Sequence, residues 1–131
     1  MTEKKRILVI EDEEDFSKAL QVILKAHGFE VVTASTGKGG LALAKNIHPD
    51  LIILDIMLPE IDGYQICRLL KFDERYKQIP IVMLTARTQE EDKLMGKETG
   101  ADAYLVKGQK PEVLIEQIKS FLSKGLESPP S

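Results

Sequence analysis

The sequence contains a single cysteine, Cys67, and lacks long apolar runs. One cysteine cannot form an internal disulfide, and Cys67 lies in an amphipathic stretch. We therefore expect it to pack as a small apolar residue in a reducing compartment. The first apolar run, Ile7 to Ile10, is too short for a secretory signal or a membrane span. These features predict a cytoplasmic protein without a membrane partner.

The sequence also lacks a concentration of basic charge. Its 18 lysines and arginines are interspersed with 21 acidic residues, and the net charge is -3. A surface that binds a phosphate backbone needs clustered basic residues. We therefore expect that this chain alone does not bind nucleic acid.

The length of 131 residues and the hydrophobic content of 43% predict one domain with a core, because two ordinary domains would need a longer chain. The last residues, 123–131 (SKGLESPPS), lose helical spacing and contain glycine, proline and serine. We predict a domain over residues 1–122, followed by a flexible tail or the start of a linker over residues 123–131.

Short apolar runs rich in Val, Ile and Leu predict buried strands, because each is too short to be a helix. The runs are Ile7 to Ile10, Phe29 to Thr33, Leu51 to Leu54, Ile81 to Leu84 and Ala103 to Val106. The stretches between them have helical spacing, as from Phe16 to Leu24. This alternation predicts an α/β protein with a doubly wound, five-stranded parallel sheet in a flavodoxin-like α/β/α sandwich. Strands of this kind suit the order 2-1-3-4-5.

Residues capable of chemistry follow the predicted strands. Glu11 and Asp12 follow the first strand, Asp55 the third, Thr85 the fourth and Lys107 the fifth. Ligands of open parallel sheets bind outside the carboxyl ends of the strands, near the point where the strand order reverses. Each residue alone has an ordinary explanation, such as a turn aspartate for Asp55. Their occurrence together at one sheet edge indicates a functional site.

The acids Glu11, Asp12 and Asp55 predict a magnesium site. In the order 2-1-3-4-5 the first and third strands are neighbours, about 5 Å apart. Carboxylates crowded in this way would raise at least one pKa unless a cation were present, and Mg²⁺ binds to one or two carboxylates while keeping several waters. The acids from Glu13 to Asp15 are instead expected to complement the dipole of the following helix.

Asp55 is the central acid of this group. A carboxylate can attack a phosphoryl group when a metal and a cation neutralise the phosphoryl oxygens. Mg²⁺ would bridge Asp12, Asp55 and one phosphoryl oxygen. Lys107 would pair with a second oxygen, and the Thr85 hydroxyl would donate to a third. The residues therefore predict a phosphoryl-accepting aspartate.

The motifs around these residues resemble the receiver domains of two-component response regulators, from about Arg6 to Leu122. The matching features are the Glu11-Asp12 pair, the segment Leu54 to Gly63 with Pro59 and Gly63 four and eight residues beyond Asp55, Thr85-Ala86, and Gly100-Ala101-Asp102. The resemblance implies that Asp55 accepts a phosphoryl group from the phosphohistidine of a sensor histidine kinase or a phosphotransfer protein. It also implies direct Mg²⁺ ligation by Asp12, ligation by Glu11 through water, and ligation by the backbone carbonyl of Met57.

The resemblance further implies that Thr85 and Tyr104 form a switch pair. The hydroxyl would turn toward the phosphoryl group and the aromatic ring would follow. This repacks the face made by the predicted fourth helix, Gln89 to Thr99, the fifth strand and the last helix, and changes the binding of a downstream protein. Gly96, inside the fourth helix, suggests that this helix is the mobile element.

Such a domain is not a conventional enzyme, because it catalyses only its own phosphorylation and dephosphorylation.

Two departures from the family pattern concern the region after the fifth strand. Gly108 stands where the family usually has a proline, often after a cis peptide bond. A non-proline cis bond costs about 2.5 to 4 kcal/mol, so we predict a trans Lys107–Gly108 bond and a more mobile loop. The chain also lacks the basic residues that DNA-binding members often use to dimerise, so we expect a monomer or a weak, phosphorylation-dependent dimer.

Three other functions fit the predicted architecture. A flavin- or nucleotide-binding domain is disfavoured because Gly37 to Gly40 matches neither common glycine-rich phosphate-binding pattern. A Mg²⁺-dependent phosphatase with an aspartyl nucleophile typically has a second aspartate where this chain has Met57. A receiver-like interaction module that works without phosphorylation is disfavoured by the complete set of acid, hydroxyl and amine.

Overall fold

The computed structural model describes residues 4–85 and 100–126. Its elements are β1 (Arg6–Ile10), α1 (Glu14–Ala26), β2 (Glu30–Ala34), α2 (Gly37–Ile47), β3 (Leu51–Asp55), α3 (Gly63–Lys71), β4 (Ile81–Thr85), β5 (Ala103–Val106) and α4 (Pro111–Leu126). The predicted fourth helix, Gln89 to Thr99 with Gly96, lies outside the described residues. Helix α4 therefore corresponds to the last helix of the sequence prediction. In the described ranges, no helix is both long and apolar enough to cross a membrane.

The strands form one parallel sheet in the order β2-β1-β3-β4-β5, which confirms the predicted fold and strand order. The observed strands differ from the predicted runs by one residue at some ends. Strand β2 begins at Glu30 and not at Phe29. The reason is that the Phe29 N–H donates to the Leu24 carbonyl at 3.1 Å and so completes the end of α1, whereas the Glu30 N–H donates to Lys5 at 2.9 Å.

Two apolar clusters cover the two faces of the sheet, because successive side chains of a strand point to opposite faces. The cluster beneath α1 and α4 contains Ile7, Val9, Leu51, Ile53, Val82, Leu84, Leu20, Leu24, Leu114, Ile115 and Ile118. The cluster beneath α2 and α3 contains Leu8, Ile10, Ile52, Leu54, Ile81, Met83, Ala44, Ile66, Cys67 and Leu70. Cys67 is fully buried, as expected. The result is the predicted three-layer sandwich.

The glycines at the start of α2 serve close packing. A Cβ atom at Gly40 would lie 2.5 Å from Ile10 Cδ1, and one at Gly37 would lie 2.4 Å from Ile61 Cγ2. The Thr36 side chain already accepts a hydrogen bond from the third of these glycines, Gly39, at 3.0 Å. The glycine-rich start of α2 therefore lets the helix approach β1 and the loop after β3. Close packing accounts for these glycines, so they do not require a bound nucleotide.

Helix α4 continues to Leu126, into the segment that the sequence predicts to be a tail. Residues 127–131 of that segment lie outside the described part of the chain. The division into a domain over residues 1–122 and a tail over residues 123–131 stays a prediction.

Candidate phosphoryl-transfer site

The predicted site residues meet at the carboxyl edge of the sheet. Asp55 ends β3 and Thr85 ends β4, while Glu11 directly follows β1 and Lys107 directly follows β5. Strand β3 pairs with both β1 and β4, so Asp55 lies at the centre of this edge. The parallel order, and not local sequence, brings these residues together.

The carboxylates of Glu11, Asp12 and Asp55 form a compact acidic group. One oxygen of each lies within 4.8 Å of the others. Glu11 and Asp55 are both 3% exposed, whereas Asp12 is exposed to solvent. Hard oxygen ligands with one open side suit Mg²⁺, which keeps part of its water shell. These residues therefore fit the predicted metal, with Asp12 on the side from which water can enter.

The position of Asp55 is set by the chain around it. Its Oδ1 accepts a hydrogen bond from the Met57 N–H at 3.1 Å. A Cβ atom at Gly63, where α3 begins, would lie 2.4 Å from the Asp55 carbonyl oxygen. Asp62 caps α3 by accepting from the Gln65 N–H at 2.9 Å. The Asp62-Gly63 pair therefore allows α3 to start directly against the end of β3, which holds Asp55 in place.

Lys107 enters the acidic group from β5. Its Nζ lies 2.7 Å from Glu11 Oε1, 3.3 Å from Asp55 Oδ2 and 3.4 Å from Glu13 Oε1. The lysine side chain is 13% exposed. Its backbone N–H donates to the Thr85 carbonyl at 2.6 Å, which joins β5 to β4 at the site. Lys107 is thus a largely buried cation in contact with the central aspartate.

The site shifts the protonation equilibria of two of its members. Burial raises the pKa of Glu11 to about 7, and the nearby Asp55 adds to this rise, although the hydrogen bond from Lys107 opposes it. Burial alone would lower the pKa of Lys107, but Glu11 and Asp55 outweigh burial and raise it. Lys107 therefore stays charged near neutral pH. The rise in the pKa of Glu11 comes first from burial and only in smaller part from the nearby Asp55, so the predicted effect of crowded carboxylates stays a prediction.

The family model of the response regulator receiver domain matches residues 7–119 of this chain. The chain belongs to this family. Its predicted function as a receiver domain of two-component response regulators is therefore confirmed, and the family is not one of conventional enzymes.

Relatives of known role support the assignment. The chain is 43% identical over 119 residues to the transcriptional regulatory protein AfsQ1 of Streptomyces coelicolor, covering 91% of this chain and 52% of that protein. It is 41% identical over 127 residues to the alkaline phosphatase synthesis transcriptional regulatory protein PhoP of Bacillus subtilis, covering 97% of this chain and 52% of that protein. The chain thus spans about half the length of these curated relatives.

Solved structures have the same fold. The chemotaxis response regulator CheY4 of Vibrio cholerae superposes with a TM-score of 0.85 at 32% identity, covering 91% of this chain and 99% of that chain. The BeF3-activated N-terminal receiver domain of RstA from Klebsiella pneumoniae superposes with a TM-score of 0.85 at 31% identity, covering 90% of this chain and 98% of that chain.

The predicted switch residues of the receiver domain share one face of the sheet. Tyr104 pairs in register with Met83, and Thr85 lies two residues beyond Met83 on the same strand. Residues two apart in a strand point to the same face, so Thr85 and Tyr104 both project toward the side of α2 and α3. Thr85 is buried, and Tyr104 is half-buried against the apolar cluster on that side. This placement allows motion of one side chain to affect the other.

The loop after Lys107 differs from the usual receiver pattern as the sequence suggested. The Lys107–Gly108 peptide bond is trans, which confirms that prediction. Gly108 has φ +91°, in the left-handed region that favours glycine. Proline, whose φ is held near about -65°, cannot adopt this conformation. The predicted greater mobility of the loop stays a prediction.

Two contacts of Lys107 were not found by sequence reasoning. Glu13 was expected only to complement the helix dipole, yet its carboxylate reaches Lys107. Phe16 was expected only as a core residue of α1, yet the Lys107 Nζ lies 4.6 Å from the centre of its ring. The signals available in the sequence were the acidic run for Glu13 and the helical spacing for Phe16. Neither shows a contact with β5, because that contact depends on how α1 packs beside the sheet.

Proposed function

We propose that this receiver domain accepts a phosphoryl group on Asp55 in a reaction that requires Mg²⁺, and that the phosphorylated form binds a downstream protein differently. The observation that carries the proposal is the position of Asp55. It is a buried carboxylate at the centre of the sheet edge, 3.3 Å from the Lys107 ammonium and grouped with two further acids. A purely structural aspartate at a strand end needs none of these neighbours.

The metal would be held by Asp12 and Asp55 directly, by Glu11 through water and by the backbone carbonyl of Met57. When bound, Mg²⁺ supplies positive charge to the phosphoryl oxygens. An Asp55 carboxylate oxygen attacks phosphorus while the bond from phosphorus to the donor's histidine nitrogen breaks. The Lys107 ammonium neutralises a second phosphoryl oxygen. The Thr85 hydroxyl donates to a third, since it ends the strand beside β3.

The same residues account for reversal of the signal. Hydrolysis of the aspartyl phosphate needs water at phosphorus, and the exposed Asp12 leaves one side of the site open. The receiver domain would therefore catalyse its own dephosphorylation as well as its phosphorylation.

The signal would leave the site through Thr85 and Tyr104. A phosphoryl group adds roughly 1.5 to 2 negative charges, which draws the Thr85 hydroxyl toward it. Tyr104 follows on the same face and alters the surface that includes β5 and α4. A partner that prefers this surface would in turn favour phosphorylation, because coupling between two binding events is reciprocal.

The proposed donor is a sensor histidine kinase or a phosphotransfer protein, in the cytoplasm. AfsQ1 and PhoP are named transcriptional regulatory proteins, and this chain corresponds to about half of each. We infer that this chain does not itself bind nucleic acid, because its net charge is -3. It would act as a monomer or as a weak, phosphorylation-dependent dimer.

The decisive experiment is intact-mass measurement after incubation with acetyl phosphate and Mg²⁺. Wild type should gain the mass of one phosphoryl group, and Asp55→Asn should gain none. Asp62→Asn is the matched control, because asparagine still caps α3 and Asp62 lies outside the acidic group. The control should be phosphorylated like wild type. No mass gain in wild type, or an equal gain in Asp55→Asn, would refute the proposal.

A further inference from the structure

The geometry of α1 and β5 points to Phe16 as a positioning residue for Lys107. The aromatic ring holds the lysine ammonium close to Asp55, where a phosphoryl oxygen is to be neutralised. This inference rests on the proposed function, since Lys107 has that task only in phosphoryl transfer. Phe16 lies in α1, so the site would include a residue that is not at the end of a strand.

The contact itself is a cation–π interaction. The Lys107 Nζ lies 4.6 Å from the centre of the Phe16 ring. A ring face carries partial negative charge and attracts an ammonium within about 6 Å. The other neighbours of Nζ are carboxylates of Glu11, Asp55 and Glu13 at 2.7, 3.3 and 3.4 Å. Phe16 is thus an uncharged attractive neighbour that does not compete with a phosphoryl oxygen for an ion pair.

The lysine needs such support because its own loop supplies little. The Lys107 backbone is joined to Thr85 on one side, but the next residue is Gly108. A Cβ atom built at Gly108 would meet no atom of the described residues within 4 Å. A cavity of about 170 Å³ lies beside this loop, lined by Phe16, Lys107, Gly108 and Pro111 among others. The flexible lysine side chain therefore gains order from its contacts with Phe16 and the carboxylates, and little from the loop that follows it.

Glu13 gives the lysine an alternative position. Its side chain is 68% exposed, whereas that of Asp55 is 3% exposed. Without the ring, the ammonium can move toward the solvated Glu13 and away from the buried aspartate. Glu13 and Phe16 are three residues apart at the start of α1, so both reach Lys107 from one side of the helix. The ring therefore biases the lysine toward the reacting position.

The test uses Phe16→Leu, which removes the aromatic face but keeps apolar bulk, and Phe16→Tyr, which keeps both. Phe121→Leu is the matched control. It removes an aromatic ring that packs against the same apolar cluster but lines a different hollow, with Lys5, Asp50 and Pro80. Each variant is also made in a Lys107→Met background.

The first measurement needs no phosphorylation. In NMR spectra, the Lys107 methylene protons next to Nζ should be shifted upfield by the ring current in wild type, Phe16→Tyr and Phe121→Leu. They should return toward ordinary lysine values in Phe16→Leu. Unchanged Lys107 shifts in Phe16→Leu would overturn the inference.

The second measurement is the rate of phosphorylation by acetyl phosphate with Mg²⁺. Phe16→Leu should slow it about threefold to tenfold, as expected for loss of a partly buried cation–π contact, and Phe16→Tyr should restore it. The substitution should have no further effect in Lys107→Met. Equal slowing in both backgrounds would show a purely structural role and overturn the inference. Failure of wild type to be phosphorylated would instead refute the proposed function, and the NMR result would still decide whether Phe16 holds Lys107.

Discussion

At the scale of single residues, the site is a balance between the two buried acids, Glu11 and Asp55, and one largely buried cation, Lys107. Lys107 contacts both Glu11 and Asp55, yet burial still raises the pKa of Glu11 to about 7. Burial of the Glu11 carboxylate, together with the smaller effect of Asp55, therefore outweighs the hydrogen bond from the single ammonium. A bound divalent cation or a proton on Glu11 relieves the imbalance, and the two should compete.

The raised pKa of Glu11 predicts how the stability of the metal-free protein depends on pH. Folded Glu11 binds its proton more tightly than unfolded Glu11, so the free energy of unfolding should fall as pH rises from about 4.5 to about 7. Glu11→Gln cannot lose this proton and should lack the fall, which we expect to be on the order of 3 kcal/mol. Urea unfolding in EDTA at several pH values measures the difference between the two proteins.

The control for this prediction is Glu14→Gln. Pairing with Lys18 lowers the pKa of Glu14, and this glutamate is fully exposed. The control should keep the fall in stability between about pH 4.5 and pH 7. If Glu11→Gln and wild type instead show parallel curves across that range, Glu11 does not titrate there.

At the scale of the elements, contacts at the amino edge of the sheet fix the start of β5. Asp102 Oδ2 accepts from the Lys71 Nζ of α3 at 2.9 Å and from the Ile81 N–H of β4 at 2.8 Å. The Lys71 Nζ also donates to the Ile79 carbonyl at 3.1 Å. One carboxylate thus joins α3, β4 and β5. This gives a structural reason for the aspartate of the Gly100-Ala101-Asp102 pattern.

Replacing Asp102 by alanine should destabilise the protein by about 1 to 3 kcal/mol, because the Ile81 N–H loses its acceptor and the largely buried Lys71 ammonium keeps only the Ile79 carbonyl. The Lys71 side chain is 12% exposed. Glu74→Ala is the matched control, since Glu74 pairs with Lys77 at the surface with 85% of its side chain exposed. The control should change stability by less than about 0.5 kcal/mol. Chemical denaturation compares them, and a similar small loss in both variants would contradict the assignment.

At the scale of the whole molecule, the sheet couples its carboxyl edge to both covering layers. Phe16 packs against the apolar cluster beneath α1 and α4, and Tyr104 packs against the apolar cluster beneath α2 and α3. A ligand at the carboxyl edge therefore contacts strands whose side chains belong to both apolar clusters. Binding to the folded state alone stabilises the entire domain by mass action.

Mg²⁺ should accordingly raise the stability of the folded protein. At a free concentration of 100 times its dissociation constant, the expected gain is about 2.7 kcal/mol. Asp12→Asn should lose most of this gain because it removes a proposed direct ligand. Asp15→Asn should retain it, since Asp15 is an exposed acid of α1 outside the acidic group. Thermal unfolding with Mg²⁺ and with EDTA provides the measurement, and an equal gain in Asp12→Asn would exclude Asp12 as a ligand.

Much of this molecule could be predicted from local sequence. Apolar runs such as Leu51 to Leu54 identify buried strands, because a strand covered on both faces needs apolar residues throughout. The alternation of such runs with helical spacing restricts the fold to a doubly wound sheet. The polar residues just after these runs, such as Glu11 and Asp55, then fall at one edge, because parallel strands all end on the same side.

Tertiary structure alone decided the contacts that cross between elements. The ion pairs of Lys107 with Glu11 and Glu13, and its contact with Phe16, join the end of β5 to residues more than 90 positions earlier in the chain. The left-handed backbone of Gly108 and the close approach of Gly40 to Ile10 also appear only once the elements are packed. Sequence periodicity reports which side of an element is buried. It does not report which neighbour lies there, since that depends on the angles and distances at which the layers pack.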